Sequence, residues 1–247
     1  MKLSVVIPAY NESANLGITL NAFHTTLALS GIPFELLVVN DNSKDNTEDV
    51  LKDLQLQMPY LVYVNNLPPH NGFGFAVRKG LDHFSGDCVA IVMADLSDSP
   101  DDLLKFYHKM HKEKLDCVFG SRFIKGGKVV DYPWLKLRIN RMANNLVRVV
   151  FGIRYNDCTN AFKLYHRHTI EGLRPFLAPH FNLTLELSLK AIVRGYSYAV
   201  LPNTWINRKH GASNLRIREM GSRYFFILLY CLIEKFFSKG DFKKKWD

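Results

Sequence analysis

Residues 91–100 read Ile-Val-Met-Ala-Asp-Leu-Ser-Asp-Ser-Pro, "IVMADLSDSP". An apolar run that begins at Cys88 stops at Met93, and two carboxylates, Asp95 and Asp98, follow before Pro100. A short continuous apolar run closed by turn residues is the pattern of a strand buried on both faces. Acids at its end then lie at a sheet edge, where open α/β sheets hold their ligands. Outward from this stretch the pattern repeats. Leu3 to Ile7 (stopped by Pro8), Phe34 to Val39 (ending in Asn40-Asp41-Asn42-Ser43), Leu61 to Val64 and Cys117 to Phe119 read as further strands. Helical patterns separate them at 15–29, 46–56, 75–84 and 101–114. This alternation predicts an α/β fold with a mostly parallel central sheet flanked by helices.

The second half is less regular. Trp134 to Phe151 is helical in pattern, with Leu135, Ile139, Met142, Leu146 and Val150 on one stripe and Arg138, Arg141 and Arg148 on another face. The expectation is that the stripe packs on the body of the domain and the arginines face solvent or a cleft. Ala161 to Tyr165 and Tyr198 to Leu201 read as short strands, and Leu183 to Val193 as a helix. Tyr224 to Ile233, "YFFILLYCLI", is apolar all round. At about ten residues it is half the length that spans a bilayer. Arg216, Arg218 and Arg223 precede it, and Lys235, Lys239 and Lys243 to Lys245 follow. That suits a helix lying in a membrane interface, and equally a core-packing helix or an oligomer contact.

The chain has 247 residues and a net charge of +9, unevenly spread. Residues 1–120 hold 9 basic and 15 acidic side chains, a net of −6; residues 121–247 hold 23 and 8, a net of +15. A basic second half presents itself to an anion, whether a phosphate-bearing substrate or a lipid headgroup. No recognition helix or RNA-binding motif supports a nucleic acid as partner. The four cysteines lack zinc or redox spacing and read as reduced core thiols of a cytosolic protein. No signal peptide is visible, because Pro8, Asn11 and Glu12 interrupt the apolar start.

Three clusters carry chemistry. At the first two strand ends, Tyr10 offers a flat face, and Glu12 and Asp41 offer carboxylates suited to a nucleobase or ribose, although acids also cap helices routinely. In residues 70–79, "HNGFGFAVRK", two glycines precede a helix that carries Arg78, an arrangement that suits a phosphate. Val77 stands where a dinucleotide fingerprint needs its third glycine, so a Rossmann cofactor site is rejected. At the fourth strand end, Asp95, with Asp98 as a second acid, can hold a divalent cation that a diphosphate completes.

In this order, "VVIPAYNES", "LLVVNDNSKDNT", "NGFGFAVRKGL", "VMADLSDSP" and "VFGSRF" resemble family 2 glycosyltransferases, and "DCTNAFKLY" resembles their dolichyl-phosphate mannose synthase-like branch. The resemblance implies a GT-A fold over residues 1–215, with a Rossmann-like donor and metal half (1–120) and an acceptor half (121–215). Residues 216–247 would then form an interfacial helix and a basic tail. It also implies a nucleotide-sugar donor, Mg2+ or Mn2+, inversion at the anomeric carbon, and a polyprenyl phosphate acceptor. By residue, it puts Pro8, Ala9, Tyr10, Glu12, Asp41, Arg78, Met93 and Ala94 on the nucleotide sugar. It puts Arg122, Arg138, Arg208 and Ser213 on the acceptor phosphate, and Asp95, Asp157 and Arg122 in catalysis. Met93 replaces the first acid of the family's Asp-x-Asp, leaving Asp95, helped by Asp98, for the metal.

The expected function is therefore an inverting transfer of a hexose from a GDP-mannose or UDP-glucose type donor to a polyprenyl or dolichyl phosphate. The setting is an anionic membrane surface, with the protein peripheral on its cytoplasmic face. The alternatives are the same chemistry on a glycan or protein acceptor, for which Asp157 would serve as a base, and a non-catalytic nucleotide- or membrane-binding fold, for which Met93 argues. The donor base, the sugar and the oligomeric state are not legible.

Overall fold

The computed structural model describes residues 1–207 and 217–244, with the backbone alone at 217–220. Its elements run β1 (Leu3–Ala9), α1 (Ser13–Ser30), β2 (Phe34–Asn40), α2 (Thr47–Gln57), β3 (Leu61–Asn65), α3 (Phe73–His83), β4 (Cys88–Ile91), α4 (Pro100–Glu113) and β5 (Cys117–Ser121). There follow β6 (Lys128–Val130), α5 (Trp134–Phe151), β7 (Lys163–His166), α6 (Arg167–Gly172), α7 (Leu183–Val193), β8 (Tyr198–Pro202), β9 (Thr204–Ile206) and α8 (Ile217–Phe237). The seven-stranded sheet has the order β3-β2-β1-β4-β7-β5-β8. Its neighbours pair parallel except β7, which is antiparallel to both β4 and β5. The strands and helices expected of the first half are all present, with ends shifted by a few residues. The short pieces β6, β9 and α6 had no sequence signal of their own. β6 and β9 pair as a separate two-stranded ribbon.

Alternation along the strands divides the core between the two faces of the sheet. In β1, Val5 and Ile7 join Leu16, Phe23, Phe106 and Leu164 on one face, while Val6 joins Val39, Val77, Phe119 and Leu187 on the other. Helix α3 lies close on that second face. A Cβ on Gly80 would stand 2.4 Å from Val6 Cγ1, so glycine is required for the approach. From β1 the chain runs outward to β2 and β3 and returns to place β4 on the other side. The strand order therefore reverses between β1 and β4, and at the carboxyl ends of such a switch point open α/β sheets hold their ligands.

Helix α5 has the expected limits but the opposite orientation. Leu135, Ile139, Met142, Leu146 and Val150 are exposed, and the helix turns Asn144, Val147 and Phe151 inward. The reason lies in what the body offers at that contact. Asn144 Nδ2 donates to Thr159 Oγ1 (2.9 Å) and Thr159 N donates to Asn144 Oδ1 (3.2 Å), so the loop beneath α5 is polar and selects the polar row of the helix. Helix α8 is also longer than its ten-residue apolar segment. Ile227 and Cys231 enter the core, and the buried Glu234 forms a two-pronged ion pair with Arg194 (2.7 and 2.9 Å). No helix among the described residues is long and apolar enough to cross a membrane.

Candidate active site

The ends of β1 and β2 bring Pro8, Ala9, Tyr10, Glu12 and Asp41 together. β1 and β2 pair through Ala9 and Asn40, and Asp41 N donates to Ala9 O (2.8 Å). Tyr10 is 40% exposed and presents its ring at the edge. Asp41 is buried; its oxygens accept Asn66 Nδ2 and Gly72 N, both at 2.7 Å, which orients the carboxylate and joins β2 to the start of α3. Glu12 precedes α1 and accepts Asn15 Nδ2 (2.6 Å).

The glycines before α3 have a different role from the expected one. A Cβ on Gly74 would stand 2.4 Å from the backbone of Pro179, and one on Gly72 would stand 3.0 Å from His180. They admit the chain's own 179–180 segment close to the start of α3. Arg78 turns the same way: it donates to Ala178 O (2.8 Å), and its buried Nε has no hydrogen-bond partner among the described residues. The structure thus ties Arg78 to the 174–182 segment.

The opening stretch forms one wall of a cleft of about 380 Å3, lined by Met93, Asp95, Ser97 and Asp98 among others. Leu96 takes a left-handed φ of 54°, which turns the chain between the two acids. Asp98 is buried and accepts Met93 N (3.1 Å). Burial, reinforced by Asp95 and Asp102, outweighs that hydrogen bond and pushes its pKa up to about 7. Ser97 Oγ beside it is buried without a hydrogen-bond partner among the described residues. Two carboxylates and a hydroxyl are hard oxygen donors that fit Mg2+ or Mn2+, whereas the Met93 thioether does not. No group of three or more His, Cys, Asp or Glu able to hold a metal occurs among the described residues. A cation here would draw its remaining ligands from phosphate oxygens and water. The ribbon supports this wall, since Ile206 N donates to Ser97 O (3.1 Å) and Asp98 bridges to Trp205.

The same cleft is lined by Arg122, Tyr132, Lys136, Asn140, Asn160 and Tyr224. Arg122 and Asp157 form a buried, two-pronged ion pair, Nε–Oδ2 at 2.8 Å and Nη2–Oδ1 at 2.7 Å, and Arg122 N donates to Oδ2 as well (3.0 Å). Burial alone would lower the guanidinium pKa; Asp157 outweighs it and holds Arg122 above its ordinary value. Asp157 is fully buried and is not part of the cleft lining, so its geometry is that of a partner holding Arg122 in place rather than of a base open to an acceptor. Arg138 lies outside the cleft, exposed, with its guanidinium 5.2 Å from the Trp134 ring centre. The cation that α5 turns inward is Lys136, two residues earlier, which sequence reasoning missed. Its signal was the row Lys136, Asn140 and Asn144 at i, i+4 and i+8, opposite the apolar stripe. Arg208 and Ser213 lie outside the described residues.

Behind the loop, Lys163 is fully buried. Its Nζ donates to Cys158 O (2.8 Å), Thr184 O (2.7 Å) and Ser188 Oγ (3.1 Å), tying the 157–160 loop to α7. Burial pushes its pKa down to about 7.

A mostly parallel sheet flanked by helices, with paired acids and a buried arginine lining one cleft beyond the end of β4, fits the GT-A class of sugar-transferring enzyme. The sequence profile of Glycosyl transferase family 2 matches residues 4–174, and the chain belongs to that family. It is 30% identical over 223 residues to the polyprenol monophosphomannose synthase of Mycolicibacterium smegmatis, covering 87% of this chain and 82% of that protein. It is 32% identical over 220 residues to the dolichol-phosphate mannosyltransferase of Pyrococcus furiosus, covering 87% of this chain and 60% of that one. Among solved structures, the glucosyl-3-phosphoglycerate synthase of Mycobacterium tuberculosis, crystallised with Mn2+, UDP-glucose and phosphoglyceric acid, superposes with a TM-score of 0.72. That match covers 94% of this chain and 79% of the other at 20% identity, a likeness of fold.

Proposed function

We propose that this glycosyltransferase moves a hexose, with inversion, from a nucleoside diphosphate sugar to a polyprenyl phosphate, and that it works as a peripheral protein on the cytoplasmic face of a membrane. The observation that carries the reading is a single cleft in which Asp95 and Asp98 stand with Arg122 and Lys136. The named relatives act on polyprenol and dolichol phosphates, in agreement with an acceptor that is itself an anion. In this reading Tyr10, Glu12 and Asp41 hold the nucleoside, with Pro8, Ala9, Met93 and Ala94 as the backbone around the donor. Asp95 and Asp98 would hold Mg2+ or Mn2+. A divalent cation bound there supplies charge to stabilise the leaving diphosphate.

The chain's own groups do the rest. Arg122, fixed by Asp157, and Lys136 bind the acceptor phosphate and aim one of its oxygens at the anomeric carbon. A phosphate monoester is already mostly ionised near neutral pH, so no base is needed. This separates the reading from a sugar-hydroxyl or protein acceptor, for which a base would be required. Arg208 and Ser213 remain proposed contacts of the same phosphate.

Calorimetric binding of GDP and UDP, with and without Mg2+ or Mn2+, tests the donor side. One nucleotide should bind metal-dependently and lose that dependence in Asp95→Ala. Lys136→Ala should raise the KM for polyprenyl phosphate about tenfold or more, the scale of a charge-assisted hydrogen bond, with nucleotide affinity unchanged. Equal loss of both affinities would sink the division of labour. Nucleotide binding indifferent to metal and to Asp95 would favour a non-catalytic fold.

A further inference from the structure

Residues 174–182, between α6 and α7, form neither helix nor strand. An irregular stretch has no ladder to pair its backbone N–H groups, so a buried one needs a partner from elsewhere. Here the partner is Glu186 on α7. Leu177 N donates to both of its oxygens (2.8 and 3.0 Å), and Ala178 N donates to Oε2 (2.7 Å). Glu186 is fully buried and pairs with the equally buried Lys190 (2.6 Å), whose Nζ also donates to Pro175 O (2.6 Å). A buried ion pair is in general no more stabilising than a well-packed apolar pair. What this one adds is a set of fixed points, at Pro175, Leu177 and Ala178, on a segment that has no ladder. From there the contacts lead to the donor side. Ala178 O accepts Arg78 Nη2 of α3 (2.8 Å). Burial pushes the Arg78 pKa down, and the nearby Glu186 charge opposes that shift. Pro179 and His180 lie where a Cβ on Gly74 or Gly72 would stand. Phe181 stacks on Phe73, with ring centres 4.3 Å apart, and lines the cleft. Gly72, the residue that opens α3, donates its N–H to Asp41 Oδ2 (2.7 Å).

We propose that Glu186 is a positioning residue for the nucleotide sugar: through residues 177–181 and Gly72 it sets the orientation of Asp41. The inference rests on the reading of Asp41 as a nucleoside contact. Glu186 is fully buried and does not line the cleft, so it acts through the segment and not on substrate. The order of contacts gives the direction of the effect. The carboxylate fixes the backbone of Leu177 and Ala178, the residues that follow fix the start of α3, and the Gly72 N–H fixes one oxygen of Asp41. A donor pocket gains affinity when its contacts are held in place before the ligand arrives. Loss of the two acceptor oxygens behind the segment therefore weakens nucleotide binding at a distance, and only through Asp41.

The test uses the full chain and calorimetric Kd values for GDP and UDP with Mg2+, taken well below each variant's unfolding temperature. Glu186→Leu/Lys190→Met removes both charges and both acceptor oxygens. It should raise the Kd of whichever nucleotide wild type binds by about tenfold, the scale of one charge-assisted hydrogen bond. Glu186→Gln/Lys190→Met also removes both charges but keeps a carbonyl for the Leu177 and Ala178 N–H groups. It should rescue the Kd to within about twofold of wild type. Asp41→Asn should weaken binding by itself, and adding Glu186→Leu/Lys190→Met to it should cost little more, because groups that act through one another are not additive. A lowered Tm with an unchanged Kd in the Leu/Met variant is the signature of a purely structural role and overturns the proposal. So do losses from Asp41 and Glu186 that multiply. Should the Leu/Met variant not fold, Gly74→Ala displaces Pro179 from the α3 side, away from the buried pair. It should show the same rise in Kd and the same non-additivity with Asp41→Asn, and an unchanged Kd there overturns the proposal equally. Failure of the donor reading appears separately, as Asp41→Asn binding both nucleotides as wild type does, and that result overturns both.

Discussion

Replacing Asp157 by Asn tests whether this carboxylate is a structural partner or a base. The exchange keeps the shape but removes the charge opposite Arg122, leaving a buried guanidinium facing an amide. Both side chains are nearly inaccessible, at 6% for Arg122 and 0% for Asp157. Removing one member of such a pair costs about 3–5 kcal/mol. For a chain of this size each kcal/mol lowers Tm by about 2–4 °C, so a fall of about 6–20 °C is expected. Scanning calorimetry measures it, and turnover is read well below both transitions at saturating acceptor. There the loss should be about tenfold or less, accompanied by a higher acceptor KM, because Arg122 loses its alignment. Arg122→Met/Asp157→Leu should recover part of the lost stability, since a well-packed apolar pair avoids the desolvation of two charges. A variant with wild-type Tm and a turnover loss of about 1,000-fold, within the range of general-base catalysis, would refute the reasoning.

Two further outcomes follow from packing and charge. Gly80→Ala should destabilise the protein by about 1–3 kcal/mol, because the new methyl meets Val6 Cγ1 of a central strand; an unchanged urea midpoint would show that α3 shifts freely. Lys163 sets a pH dependence. Its folded pKa, about 7, lies below the ordinary 10.5. Between those values the unfolded chain binds a proton that the native chain does not, so this group makes stability rise as pH climbs from about 7 towards 10.5. Urea midpoints at pH 7 and 9.5 should therefore rise less, or fall more, in Lys163→Met than in wild type, and identical pH responses would contradict the assignment.

Much of the architecture could be read locally. Buried strands such as 3–9 and 34–40 announce themselves as apolar runs, and the polar clusters that end them announce the working edge. Asp95, Asp98, Tyr10, Glu12 and Asp41 stand out as candidates because each follows closely on such a run. Strand alternation and strand-end chemistry are properties of a few consecutive residues, so the sequence by itself determined the sheet, its edge and the acids placed there. What the second half does across space was not readable in this way. Arg78 carries the right charge in the right motif, yet its guanidinium reaches Ala178, a hundred residues away. Asp157 resembles a free acid until Arg122 closes on it. Lys136 and Arg138 are two residues apart, which on a helix is about 200° of rotation. Only the tertiary structure, through the polar loop at Thr159 that draws in Asn144, decided which of them faces the cleft and that the apolar stripe faces out. A periodic pattern states that a helix has two unlike faces; which face turns inward depends on the surface it meets, and that surface is built from distant parts of the chain.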